Sequence, residues 1–208
     1  MIMNKLIQEI KKMQKYITLM EGTNWSQLEN FLRDNEIEFM SVDWLGSGEY
    51  GNAYSLGNGK VFKTTNSESE FEIAGQLWNK NIPGLVQVFD RGWYQEERPK
   101  LYYIVMEELD TDSSIEDMFS RVEMILTTQG LDISQTGSFD EDEYDGSEGE
   151  LDAETIKFMD DLTTIYRSCR NLGIRVPDVN YGNLGYDSTG HLKLFDVQDR
   201  AAMINRMW

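Results

Sequence analysis

The sequence predicts an α+β fold in which a five-stranded antiparallel sheet precedes a mainly helical region, with a helical extension before both. Apolar segments with the turn residues typical of strands are concentrated before residue 110, and two longer segments with helical spacing follow. The chain of 208 residues has 40% hydrophobic residues and five Trp. This length and composition are typical of a globular protein with one substantial core.

Residues 1–39 are predicted to form the helical extension. Apolar residues recur there at alternating steps of three and four, as on one stripe of a helix: Met3, Leu6, Ile10, Met13, Ile17 and Met20. A second, short helix is predicted to be capped by Thr23 or Asn24 and to bury Trp25, Leu28, Phe31 and Leu32. We expect both helices to pack on the sheet. The alternative is that the first helix forms a homodimer or docks a protein partner.

Residues 40–109 are predicted to contain the sheet, which begins with a glycine-rich hairpin. Gly46, Gly48 and Gly51 have G-x-G-x-x-G spacing, but a strand follows them instead of the helix that follows a dinucleotide-binding turn. A second glycine turn leads into a strand that carries Lys63. Glycine amides can approach a phosphate closely, and Lys63 can point its ammonium at the same phosphates.

A helix is predicted to follow the lysine strand. Ser67 is a capping residue at its start, and apolar residues with helical spacing come next. Glu70 is suited to pair with Lys63, and Glu72 is the alternative.

Two strands and two helices complete the predicted architecture. The strands span 86–94 and 101–109, and the second ends abruptly in acidic residues, as a hinge does. The helices lie near 114–128 and 153–172, and the second is predicted to stop at Gly173.

The most specific functional signal lies near the C-terminus. Asp178 and Asn183 have D-x-x-x-x-N spacing, and Asp196 follows after a turn at 187–190 and a short strand. Carboxylate and amide oxygens are hard ligands that suit Mg²⁺.

These segments, in this order from about Val42 to about Gln198, resemble the protein-kinase-like superfamily. The resemblance implies a two-lobed fold, with the five-stranded antiparallel sheet in an N-lobe over 40–109 and a reduced, mainly helical C-lobe over 110–208. It also implies that the three glycines of the hairpin cover the phosphates of ATP, that Lys63 pairs with them and that Glu70 positions Lys63.

The resemblance implies further contacts with the nucleotide. Met106 would lie at the gate of the adenine pocket, and the backbone of Glu107 and Leu109 would face the edge of the adenine. Ala53 and Val61 would form the ceiling of the pocket.

The resemblance also implies that Asp178 is a catalytic residue that orients the acceptor, and that Asn183 and Asp196 bind Mg²⁺ or Mn²⁺. Two departures from the family pattern are visible. Val-Pro replaces His-Arg before Asp178, so we expect no control by phosphorylation of an activation loop. Gln198 stands where a Gly is usual, a pattern more similar to small-molecule and atypical kinases.

The chain ends shortly after Asp196, so we expect the helices that usually hold a protein substrate to be missing. Two functions follow. The first is an ATP-dependent phosphotransferase whose acceptor is a protein, a small molecule or the chain itself, and adenylate transfer stays open. The alternative is a catalytically silent pseudokinase that acts as an interaction or inhibitor protein. The resemblance to small kinase-like proteins also implies a bacterial or bacteriophage source and a cytoplasmic location.

The net charge of −18 argues against binding to nucleic acid or to an anionic membrane, because both require a basic surface. Part of this charge lies in an acidic segment at about 130–152, which we expect to be a solvated loop. The alternative is a surface that attracts a basic partner or mimics nucleic acid. No apolar run is long enough to span a membrane.

Cys169 is the only cysteine, which excludes an internal disulfide and favours a reducing cytoplasm. His191 is the only histidine, and we expect it to be structural or exposed.

Overall fold

The computed structural model describes residues 25–48, 50–95, 100–129, 151–174 and 177–197. In this part of the chain the fold is α+β, with four α-helices and a five-stranded antiparallel sheet. The elements are α1 (Trp25–Asp34), β1 (Asp43–Ser47), β2 (Asn52–Ser55), β3 (Lys60–Thr65), α2 (Glu68–Leu77), β4 (Val88–Gln95), β5 (Leu101–Glu107), α3 (Ser114–Gln129), α4 (Ala153–Asn171), a 3-10 turn (Tyr181–Asn183), β6 (Leu184–Tyr186) and β7 (Leu192–Leu194). The predicted stripe of Met3 to Met20, the caps Thr23 and Asn24, and most of the acidic segment lie outside the described residues.

The five strands have the order β1-β2-β3-β5-β4, and every neighbouring pair is antiparallel. This confirms the predicted five-stranded antiparallel sheet. The hinge-like strand is shorter than predicted, since β5 ends at Glu107 and Leu109 follows it in irregular backbone. Lys63 on β3 is the direct neighbour of Ala53 on β2 and of Ile104 on β5.

The glycine-rich segment forms the turn between β1 and β2, as predicted. The amide of Gly48 donates to the carbonyl of Gly51 over 2.9 Å. A Cβ on Gly51 would collide with the carbonyl oxygen of Thr64 on β3, whereas one on Gly46 or Gly48 would meet nothing within 4 Å. Gly51 is therefore required by strand packing, whereas there is space for a side chain at Gly46 and Gly48.

Helix α1 packs on the outer face of the sheet, in a second core that contains Leu28, Leu32 and the ring of Phe62. This is the packing expected for that helix. The prediction that Trp25 is buried is wrong, because 41% of its surface is exposed. Trp25 is the first residue of the helix and makes an edge-on contact with Tyr54 of the sheet, with ring centroids 5.8 Å apart.

The main core joins the sheet to helices α3 and α4. Leu194 on β7 donates to the carbonyl of Gly84 and accepts from the amide of Val86, over 2.9 and 3.0 Å. Helix α4 stops at Gly173 as predicted, with a φ of +78° that favours glycine. Cys169 is fully buried in this core, and burial raises the pKa of its thiol to about 12, so the thiol is a packing group.

Strands β6 and β7 form a small antiparallel hairpin, of which only the second strand was predicted. Its turn is organised by the carboxylate of Asp187, which accepts from the amide and hydroxyl of Thr189 and from the amide of His191. His191 is exposed, as expected. This hairpin begins directly after Asn183 and ends shortly before Asp196. None of the helices in the described ranges is both long enough and apolar enough to cross a membrane.

Candidate nucleotide site

A cleft of about 820 Å³ opens between the β1–β2 hairpin, the end of β5 and the segments that flank the β6–β7 hairpin. Most residues that the sequence predicted for a nucleotide site line it: Gly46, Gly48, Gly51, Ala53, Val61, Lys63, Met106, Glu107, Leu109, Asn183 and Asp196. The volume is in the range of pockets that hold small molecules and cofactors. The tertiary structure therefore brings the glycine hairpin, the hinge and the two candidate metal ligands to one cavity.

Lys63 is the residue that joins the distant parts of this site. Its Nζ lies 2.5 Å from Glu70 Oε1 on α2 and 3.2 Å from Asp196 Oδ1. Lys63 and Asp196 are 133 positions apart in the chain. The predicted contact between Lys63 and Glu70 is present, and Glu72, the alternative, lies on the exposed side of the same helix.

Burial and charge act on Lys63 in opposite directions. Burial alone would lower the pKa of the Lys63 ammonium, but the carboxylates of Glu70 and Asp196 raise it by more, so the net pKa lies above its ordinary value of 10.5. Only 14% of the Lys63 side chain and 5% of the Glu70 side chain are exposed. The site thus holds a fixed positive charge at the wall of the cleft.

The start of α2 and the alternation of β3 explain why Lys63 and Glu70 meet. Ser67 is the N-cap of α2, and its hydroxyl accepts from the amide of Glu70 over 3.3 Å. This cap sets the first turn of the helix and therefore the direction in which Glu70 leaves it. The alternation of β3 points Lys63 and Val61 to the cleft side of the sheet.

Two asparagines within the segment 178–183 stabilise it by hydrogen bonds to Asp178. Asn183 Nδ2 donates to the carbonyl of Asp178 over 2.9 Å, and Asn180 Nδ2 donates to Asp178 Oδ1 over 2.9 Å. Asn180 also caps the 3-10 turn by accepting from the amide of Gly182 over 3.0 Å. Sequence reasoning did not single out Asn180, although an Asn whose side chain can accept from the amide two residues on is a recognisable turn signal.

Asn183 and Asp196 are linked by the backbone, because the amide of Phe195 donates to the carbonyl of Asn183 over 3.0 Å. Since the Asn183 side chain uses its nitrogen on Asp178, its Oδ1 is the atom that suits a cation. In the described part of the chain no group of three or more His, Cys, Asp or Glu side chains is arranged to hold a metal. The donor set is thus one amide oxygen and one carboxylate, which fits a magnesium ion whose other ligands come from phosphates and water.

A second buried lysine, missed by the sequence analysis, lies behind the hinge. Lys193 Nζ is 2.7 Å from Glu107 Oε1 and 3.3 Å from Asp187 Oδ2. The same Glu107 oxygen accepts from the amide of Gln87 over 2.7 Å. Burial would raise the pKa of the Asp187 carboxyl, but hydrogen bonds from Thr189, from the His191 amide and from Lys193 lower it by more. A lysine between two leucines of a strand is the only sequence signal for this network.

A smaller depression of about 290 Å³ lies between α4 and the turn after Tyr186. Lys157 in its wall lies 2.9 Å from Asp161, and Asp161 also accepts from the amide of Leu192. Its charged groups serve each other, so this depression lacks the convergent groups of the larger cleft.

Two predicted site residues are not among the described residues that line the cleft: Glu70, which reaches Lys63 from behind, and Asp178. No protein-family model and no curated protein matches this chain. The chemistry of the cleft therefore follows from the residues in it.

Proposed function

We propose that this chain is a protein-kinase-like phosphotransferase that binds ATP with Mg²⁺ or Mn²⁺ in the cleft. In this proposal the five-stranded sheet and α2 form the N-lobe, and α3 and α4 with the β6–β7 hairpin form a reduced C-lobe. The observation that carries it is the pair of contacts from Lys63 to Glu70 and Asp196, at the wall of a cleft lined by the glycine hairpin. In protein kinases a strand lysine that is paired with a helix glutamate contacts the nucleotide phosphates, which supports this proposal.

The binding roles follow from position and chemistry. Lys63 would hold the phosphates because it supplies positive charge, and the hairpin at Gly46 and Gly48 would cover them, because it lines the same cleft and no side chain projects from either glycine. The adenine would lie between Val61 and the backbone of the hinge, which Met106 closes at its inner end. A cleft lined by both apolar side chains and convergent polar groups is suited to such a ligand.

Asn183 and Asp196 would hold the divalent ion, which supplies neutralisation of the phosphate charge when it is bound. The protein has a net charge of −18, so this neutralisation matters more here than in a basic protein. Local cations have to offset the repulsion between the protein and ATP.

Asp178 is the residue that we assign to the acceptor. The acceptor's hydroxyl oxygen forms a bond to the γ-phosphorus while the bond from that phosphorus to the β–γ bridging oxygen breaks, so that ADP leaves. The hydroxyl proton passes to the carboxylate of Asp178. The acceptor is a protein, a small molecule or a side chain of this same protein.

One observation favours a second candidate, a nucleotide-binding pseudokinase that acts through protein contacts. Asp178 Oδ1 accepts from Asn180, and Asp178 is not one of the described residues that line the cleft. A carboxylate held in this way would still leave ATP binding intact.

Mass spectrometry of the purified protein after incubation with ATP and Mg²⁺, alone and in a lysate with labelled ATP, separates the two candidates. The phosphotransferase gives a phosphoryl adduct or a labelled product, and an adenylyl adduct would identify the other reaction. Asp178→Asn should lower turnover by about 100-fold or more while ATP binding is retained. The matched control is Asp160→Asn, on the exposed face of α4. Tight ATP binding without any transferred label would favour the pseudokinase, and no binding at all would end both proposals.

A further inference from the structure

Two cationic side chains from the sheet contact consecutive residues of helix α2. Lys63 pairs with the side chain of Glu70, and Arg91 Nη1 donates to the carbonyl of Phe71 over 2.7 Å. The guanidinium carbon of Arg91 also lies 4.4 Å from the centre of the Phe71 ring. One side chain thus holds both the backbone and the ring of the residue next to Glu70.

The two cations belong to one row across the sheet. Lys63 on β3 and Arg91 on β4 are both direct partners of Ile104 on β5. Direct partners in an antiparallel sheet carry their side chains on the same face, so both reach toward α2. The register of β3, β5 and β4 therefore sets the distance between these two contacts with α2.

Gly75 provides the space that Arg91 occupies. It lies one helical turn after Phe71, and a Cβ at Gly75 would lie 2.5 Å from both Cζ and Nη1 of Arg91. The guanidinium is the end of a flexible side chain, so an added methyl group would displace it from the Phe71 carbonyl. A glycine inside a helix is unfavourable relative to alanine, so its presence here is explained by the arginine.

We propose that Arg91 and Gly75 form a clamp that holds α2 where Glu70 meets Lys63, so that this ion pair is assembled by the fold itself. Arg91 is then a positioning residue that acts through Glu70. The effect of the clamp on nucleotide binding rests on the proposed function of the cleft. The effect of the clamp on the position of α2 is independent of that function.

The test uses changes whose structural and positioning effects have opposite signs. Gly75→Ala raises the intrinsic helix propensity, so a role limited to helix stability predicts slower amide exchange in residues 68–77. The clamp predicts faster exchange, because the guanidinium is displaced. Arg91→Met should also speed exchange, and the double variant should resemble the single variants because all three lose the same contact. Gln76→Ala, an exposed change in the same helix, is the control that should not speed exchange.

Affinity for ATP with Mg²⁺, measured by calorimetry, gives the second arm. Gly75→Ala and Arg91→Met should each weaken binding about tenfold, with little further loss in the double variant. In a Glu70→Gln background Arg91→Met should have no additional effect, since the clamp acts through Glu70. Additive losses, or a Gly75→Ala protein with slower exchange and unchanged affinity, would overturn the clamp. If the unmodified protein binds no nucleotide, the proposed function fails, and the exchange measurements alone decide the clamp.

Discussion

Two lysines in this molecule, one partly buried and one buried, are paired with carboxylates in a similar way and have different neighbours beyond them. Each contacts two carboxylates within 3.3 Å, one across the sheet region and one from the C-terminal segment: Lys63 contacts Glu70 and Asp196, and Lys193 contacts Glu107 and Asp187. Lys63 lines the large cleft, whereas Lys193 lies behind the hinge and is not among the described residues that line it. A ligand in the cleft can therefore reach the first ammonium but not the second.

The comparison teaches that a buried lysine between carboxylates does not by itself identify a functional site. The Lys193 cluster joins the end of β5 to the β6–β7 hairpin and serves the fold. The Lys63 cluster joins α2 to Asp196 and also presents charge to a cavity. Access for a ligand, which only the tertiary structure creates, is what separates the two clusters.

The largest expected effect on stability comes from removing Lys193. Lys193→Met leaves the partly buried carboxylates of Glu107 and Asp187 without their cation, so the free energy of unfolding should fall by about 3 kcal/mol. Urea unfolding followed by circular dichroism measures this change. Lys157→Met, which removes a half-exposed ammonium that contacts Asp161, is the control and should lower it by less than about 1 kcal/mol. Equal losses in the two variants would show that the Lys193 cluster has no special structural role.

The next prediction distinguishes the Lys63 cluster from the Lys193 cluster by their effects on nucleotide binding. Lys63→Met should weaken the binding of ATP with Mg²⁺ by about tenfold or more, because it removes a charge-assisted contact with the phosphates. The thermal stabilisation produced by saturating nucleotide should shrink accordingly. Lys60→Met is the matched control, since Lys60 lies on the same strand but faces the opposite side, over the ring of Phe89. Lys193→Met should keep the nucleotide response of the unmodified protein, and a loss in that variant instead would erase the distinction between the two clusters.

The smallest expected effect is a change in folding stability at acidic pH. The pKa of Asp187 is lowered in the folded protein, so its contribution to stability is complete above its unfolded value of about 4 and is lost as the pH falls further. Asp187→Asn should therefore lower stability at pH 7 and make the decline between pH 4 and pH 2 shallower than in the unmodified protein. Unfolding midpoints measured across this range test the prediction. Parallel declines in the two proteins would exclude Asp187 as a contributor.

Local features of the fold could be predicted because they depend on residues a few positions apart. The Ser67 cap, the glycine turn before β2 and the end of α4 at Gly173 each follow from short-range backbone preferences. Trp25 was mispredicted because helical spacing does not say how far along the helix the sheet extends. Asn180 and Lys193 were missed because their partners are set by how a turn and a hairpin pack.

The sequence by itself determined most of the described elements, their order and most of the residues predicted for the cleft, since hydrophobic period, caps and turn residues act over short distances. It did not determine β6, and it did not show that Asp178 lies outside the described residues that line the cleft. It also indicated Glu70 as the partner of Lys63, because the two lie on adjacent elements. Only the tertiary structure decided that Asp196 reaches the same lysine and that Arg91 fits over Gly75. Those contacts depend on strand register and on the packing of separate elements, and these are properties of the whole core that no local pattern contains.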